Sequence, residues 1–191
     1  MKISEKKGSI TLEACVSLFM FTFLMLFVAG LMVLYMAQAG MSHALLQTSE
    51  SMSLDPYAIE QLNLTGAGVE ASIGVYVSDL VTKMFGNNDS NPYFTTSKRW
   101  YKPKNKTMIQ NVAKQRFVGY LANGNESKAD DLLKKYNIVD GLNGLDFSES
   151  EVKDGDLYLV VKYKMEYEFN AFGLGKIDVK QKAKVRLFGY K

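Results

Sequence analysis

Ser9-Ile10-Thr11-Leu12-Glu13 leads into ACVSLFMFTFLMLFVAGLMVLYMA over residues 14–37, 24 consecutive positions without a formal charge. As an α-helix rising about 1.5 Å per residue, this run is about 36 Å long, enough to cross a hydrocarbon layer of about 30 Å with some tilt. Only Ser17 and Thr22 bring conventional polar side chains, and both can hydrogen-bond back to helix carbonyls. Lys2, Lys6 and Lys7 precede the run, and no Lys or Arg follows it until Lys83. That asymmetry places the N-terminus in the cytoplasm and the bulk of the chain outside, in a single pass across the cell membrane.

Three kinds of N-terminal signal fit such a start to different degrees. Ala37-Gln38-Ala39 has the small-x-small form of a secretory cleavage site, but the apolar run far exceeds the 7–15 residues of a signal core. A lipoprotein signal ending at Cys15 fails, because Glu13 lies two residues before the cysteine with no apolar stretch ahead of it. In a prepilin-type signal, only the short basic leader is removed and the apolar helix stays. This last reading accounts for Glu13. An acid costs about 2.5–3.5 kcal/mol at the centre of a membrane helix, less near its edge, and such acids usually have a partner. Cleavage after Gly8 makes Ser9 a new ammonium terminus, one helical turn from Glu13. The carboxylate can then neutralise that ammonium or the one on a neighbouring subunit.

Lys6-Lys7-Gly8 followed by Ser9-Ile10-Thr11-Leu12-Glu13 and a long apolar helix resembles the class III signal of type IV pilins and pseudopilins. The stretch from Lys7 to Ala14 looks more like the TadE-like minor pseudopilins of tight-adherence (Tad) pili. The resemblance implies a prepilin peptidase as processing partner, with Gly8 and Ser9 as the cleavage pair and Glu13 as the processing and assembly acid. It also implies other pilin subunits, the assembly platform and the lipid bilayer as partners. The expected function is that of a non-enzymatic minor subunit that primes, caps or connects a filament. Two departures are visible. Ser9 replaces the Phe that many pilins methylate, and no Pro interrupts the helix before Pro56.

Beyond the apolar run the helical pattern continues through Met41, Ala44, Leu45 and Met52, with Asp55-Pro56 as the first clear terminator. The expected organisation is a leader over residues 1–8, a transmembrane and spine helix over 9–54, and an extracytoplasmic α+β head over 55–191. Tyr57 to Phe85 carries a weaker helical face. Ile109, Val112, Ala113, Phe117, Tyr120 and Leu121 predict an amphipathic helix ending at Asn123-Gly124, and Asn125-Glu126 opens another. From Leu157 to Ala171 every odd position is apolar, which predicts a long half-buried strand. Ile177 to Leu187 alternates in the same way after a Gly173-Leu174-Gly175 turn. Leu145 to Val152 predicts a third strand, joined through Lys153-Asp154-Gly155. The fold class is α+β: a long N-terminal helix, further helices and a C-terminal antiparallel meander of pilin-like plan.

Composition narrows the chemistry. In 191 residues there is one Cys and one His, which excludes an intrachain disulfide, a Cys-rich zinc site and a multi-His metal centre. His43 and Cys15 read as a surface residue and a small hydrophobe respectively. No phosphate-binding Gly loop or nucleophile elbow is present, and no catalytic site or cofactor is expected. Glu149, Glu151, Asp154 and Asp156 do not follow the order of an EF-hand loop. Lys98, Arg99, Trp100, Lys102, Lys104 and Lys106 mix cations with an aromatic, which reads first as a solvated loop anchored by Trp100 and second as a candidate contact for a polyanion. The second reading supports an alternative function, a signal-anchored protein binding a wall polymer or nucleic acid. The formal charge of +3 argues against nucleic acid as an obligate partner.

Overall fold

The computed structural model describes residues 3–64, 100–102, 106–167 and 175–189. Helix α1 spans Ile3–Leu64, 62 residues without a break and about 93 Å long. From Ile10 to Thr22 every residue is exposed. One stripe is then covered at intervals of three and four: Phe23, Phe27, Gly30 and Leu34 are half-buried, and Ala37, Met41, Ala44, Leu45 and Met52 are buried. The opposite side stays bare and apolar at Met32, Tyr35, Met36, Leu46 and Leu54.

The helix does not end at Leu54 as Asp55-Pro56 predicts. Pro56 lies inside it. Its ring removes the N–H that the Met52 carbonyl would accept. The neighbouring Ser53 carbonyl accepts the backbone N–H of Phe188 at 3.0 Å. Asp55 and Pro56 are both buried. Packing outweighs the local stop signal, because most helix stability in proteins comes from tertiary burial. Polar side chains on the buried stripe satisfy themselves on preceding carbonyls, Thr48 on Ala44 at 2.7 Å and Ser53 on Glu50 at 2.6 Å.

Helix α2 (Lys106–Ala122) and helix α3 (Glu126–Lys135) follow the predicted pattern. Asn123 and Gly124 both take positive φ at the end of α2, and the Asn125 side chain caps α3 by accepting the Lys128 N–H at 3.0 Å. After a short 3₁₀ turn at Gly141–Gly144, strands β1 (Glu151–Lys153), β2 (Asp156–Glu166) and β3 (Lys176–Arg186) form an antiparallel sheet in that order. Asp154 and Gly155, with φ of 55° and 79°, make the two-residue turn between β1 and β2.

β1 is shorter than the expected strand from Leu145 to Val152. The Asp146 carboxylate accepts both the N–H and the hydroxyl of Ser148, which bends the chain away from the ladder. Farther on, the Ser150 hydroxyl takes the place of a backbone partner, donating to Val160 O and accepting from Val160 N–H. The tail of the expected second strand, residues 168–171, lies outside the described residues, as do residues 65–99.

Leu157, Leu159, Val161, Tyr163 and Met165 form the buried face of β2. They share one core with Met41, Leu45 and Met52 of α1 and with Ile109, Val112, Ala113 and Phe117 of α2. Each fully buried Leu or Met contributes about 1.5–3 kcal/mol. The other face of the sheet is wet, with Lys162, Lys164, Lys180, Lys182 and Lys184 interleaved with acids.

Candidate functional site

Gly8, Ser9 and Glu13, expected from the sequence to carry processing and assembly, sit at the start of α1. Gly8 and Ser9 are within its helical backbone, and Glu13 is exposed one turn beyond Ser9. Cys15 is exposed on the following turn. The motif and the apolar run therefore share one continuous helix with the element that carries the head. Among the described residues, Ile10–Tyr57 is the one segment long and apolar enough to cross a membrane.

The head is fastened to this helix along a seam. Tyr167, just past β2, donates its hydroxyl to the Phe27 carbonyl at 3.1 Å and meets the Phe27 ring edge-on, with centroids 6.4 Å apart. Gly30 makes room for it: a Cβ there would lie 2.8 Å from the Tyr167 hydroxyl oxygen. The Gln181 side-chain amide donates to the Gln38 carbonyl at 3.1 Å, and Phe188 N–H donates to Ser53. Phe27 to Ser53 spans about 39 Å of helix, and Lys176 to Phe188 spans about 40 Å of strand. The hairpin thus runs beside the helix with matched length, one end at Phe27 and the other at Ser53.

At the far end of the seam is a buried ionic cluster that sequence reasoning missed. Arg116 Nη2 donates to both Asp55 carboxylate oxygens, at 2.8 and 2.6 Å. The Trp100 indole N–H donates to Asp55 Oδ2 at 2.7 Å, and Arg116 Nη1 reaches the Ser51 hydroxyl at 3.3 Å. The Asp55, Trp100 and Arg116 side chains are at most 6% exposed. Burial pushes the Asp55 carboxyl up, against the pull of the Arg116 guanidinium and of the Arg116 and Trp100 hydrogen bonds. A signal was present in the sequence. Arg116 falls between Ala113 and Phe117 on the apolar arc of α2, where a cation needs a buried acidic partner.

This cluster favours Trp100 as an anchor over Trp100 as a platform for a polyanion. Trp100 is fully buried and bonded to Asp55, so its ring is no surface platform for stacking. Lys102 is exposed, and Lys106, also exposed, lies 3.8 Å from Glu151. Lys98, Arg99 and Lys104 are outside the described residues. The acidic quartet does not converge either. Glu149 bridges Lys162 and Lys180 across the wet face, and these two cations hold its carboxyl down at about 2. Asp156 pairs with Lys184 and Arg186. His43 is exposed on the outer side of α1.

Compared with protein-family models, with curated proteins and with solved structures, the chain matches none.

Proposed function

We propose that the protein is a membrane-anchored, non-enzymatic pilin-like subunit. It is processed between Gly8 and Ser9 by a prepilin peptidase and takes part in assembly of a Tad-type pilus. The observation that carries this reading is the division of labour along α1. A basic leader and the Gly8-Ser9…Glu13 motif precede a bare apolar stretch, and the same helix then becomes the spine of an α+β head. A helix continuous from membrane to head transmits an axial position: whatever pairs with Glu13 in the bilayer sets the height of the head above it. This is what a subunit docking in register requires. The head then supplies the surface by which the filament is primed, capped or connected.

Mass spectrometry of the membrane-extracted protein, after co-expression with a prepilin peptidase, tests the reading. The expected mature chain begins at Ser9. A chain still beginning at Met1 under conditions where a known prepilin is cut overturns it.

A further inference from the structure

The seam between head and helix begins deeper along the apolar run than a membrane-spanning segment allows if the head is to stay clear of the bilayer. A layer of about 30 Å takes about 20 helical residues. Counted from Ala14, just past the acid, that length ends at Val33; counted from Ser9, it ends at Val28. Tyr167 meets the helix at Phe27 and Gly30. With either starting point, the end of the β2–β3 hairpin stands at or below the boundary of the hydrocarbon layer. The part of α1 exposed on every side, Ile10 to Thr22, is only about 20 Å long, too short to span alone. On the side away from the head, Leu31, Met32, Tyr35 and Met36 remain bare and apolar over this same level. An exposed Tyr at position 35 is suited to the headgroup zone.

We propose that the end of the β2–β3 hairpin at Glu166, Tyr167, Gly175 and Lys176 is a second membrane-contacting element, seated in the interfacial layer of the leaflet that faces the head. This rests on the reading of α1 as a membrane anchor. The chemistry suits that layer rather than the hydrocarbon centre. Tyr167 is buried against the helix, with its N–H bonded to Gly175 O at 3.3 Å and its hydroxyl to Phe27 O. The Glu166 N–H is bonded to Asn137 O at 2.8 Å. The backbone donors named here are therefore satisfied, as an apolar boundary demands. Glu166 and Lys176, opposite each other in the ladder, are exposed. The Lys176 ammonium can reach lipid phosphates while its stem lies along the boundary. Two contacts with one leaflet restrict rotation of the head about the helix axis.

The test uses the full chain in phosphatidylcholine–phosphatidylglycerol vesicles, in a Cys15→Ser background. A fluorophore is placed singly by Met20→Cys, Glu166→Cys, Lys176→Cys or Lys153→Cys, and quenched by lipids carrying a nitroxide at shallow or deep positions. Unchanged Trp100 emission verifies the fold of each variant. The expected result is a loss of emission at position 20 with the deep quencher, a loss at 166 or 176 with the shallow quencher, and none at 153. Quenching at 20 with neither 166 nor 176 exceeding 153 overturns the second contact and leaves the anchor standing. Absence of quenching at 20 removes the anchor itself, and this proposal with it.

Discussion

Arg116 reaches Asp55 across 61 residues of sequence and places one guanidinium nitrogen within 2.8 Å of both carboxylate oxygens. The pair ties α2 to the spine one residue before Pro56, where α1 is locally weakest. Its energetic meaning lies in asymmetry. Removing one partner strands a buried charge and costs about 3–5 kcal/mol, whereas replacing both by apolar residues of similar volume is often neutral or stabilising. Asp55→Ala and Arg116→Met should each destabilise the head by that amount. Asp55→Leu/Arg116→Met should recover most of the loss. Trp100, the one tryptophan of the chain, is bonded to Asp55, so its emission reports unfolding in denaturant. Equal stability of the single variants and the wild type would remove the pair from the account of how the head is held.

Gly189 docks the segment after β3 on the same part of the helix. Its φ is +74°, and a Cβ there would lie 3.1 Å from the Tyr57 Cα, a backbone atom that cannot swing aside. Left-handed backbone costs an L-residue about 1–2 kcal/mol, and the close approach adds to that. Gly189→Ala should destabilise by about 1–2 kcal/mol or more and speed amide exchange at Phe188, whose N–H is bonded to Ser53. Unaltered exchange at Phe188 would show that the contact has no role.

The extent to which the fold was legible follows from which signals are local. Alternation along β2 and β3, the Asn123-Gly124 stop and the Asn125 cap each need only a few neighbouring residues, and the structure carries all of them. Pro56 misleads because its helix is held by contacts with Phe188 and α2, far away in sequence. Asp146 misleads because a side chain competing for backbone donors breaks a run whose apolar pattern reads as a strand. Gly8, Ser9 and Glu13 are singled out by position along the chain alone, and the structure adds only that all three fall within α1. Trp100 as the anchor of its loop was legible, but its partner was not, since Asp55 beside a proline reads as a helix terminator rather than a buried ligand.

On the wet face, Glu149 joins Lys162 of β2 to Lys180 of β3. The two cations depress its carboxyl from 4.5 to about 2 in the folded protein. A depressed carboxyl contributes stability that is fully present above its unfolded value and is lost as pH falls through the folded one. The contribution should therefore fade between pH 4.5 and about 2. All three side chains are substantially exposed, so the effect is small and screened by salt. Glu149→Gln should flatten the stability profile across this window while leaving the shape of the profile above about pH 5 unchanged. An identical slope in wild type and variant would show that the bridge does not form in solution.

Glu13 tests the proposed function at the point where it is most exposed to failure. The residue is exposed at the start of the bare stretch, more than 20 positions before the first fully buried residue of the head seam, Ala37. Its replacement therefore cannot act through the head's core. Glu13→Gln keeps the size and hydrogen-bonding capacity of the side chain and removes only the charge that would neutralise a terminal ammonium in a low-dielectric layer. Trp100 emission and the denaturation midpoint should match the wild type, and the chain should still be extracted with membranes. Incorporation into the filament should fall about tenfold if the pairing supplies even about 1.4 kcal/mol per docked subunit, a modest share of what two charges gain away from water. Removal of the leader is read separately by mass, so loss of assembly with the mature start at Ser9 assigns the carboxylate to docking. Wild-type incorporation of Glu13→Gln would exclude the charge pair as the element that sets subunit register.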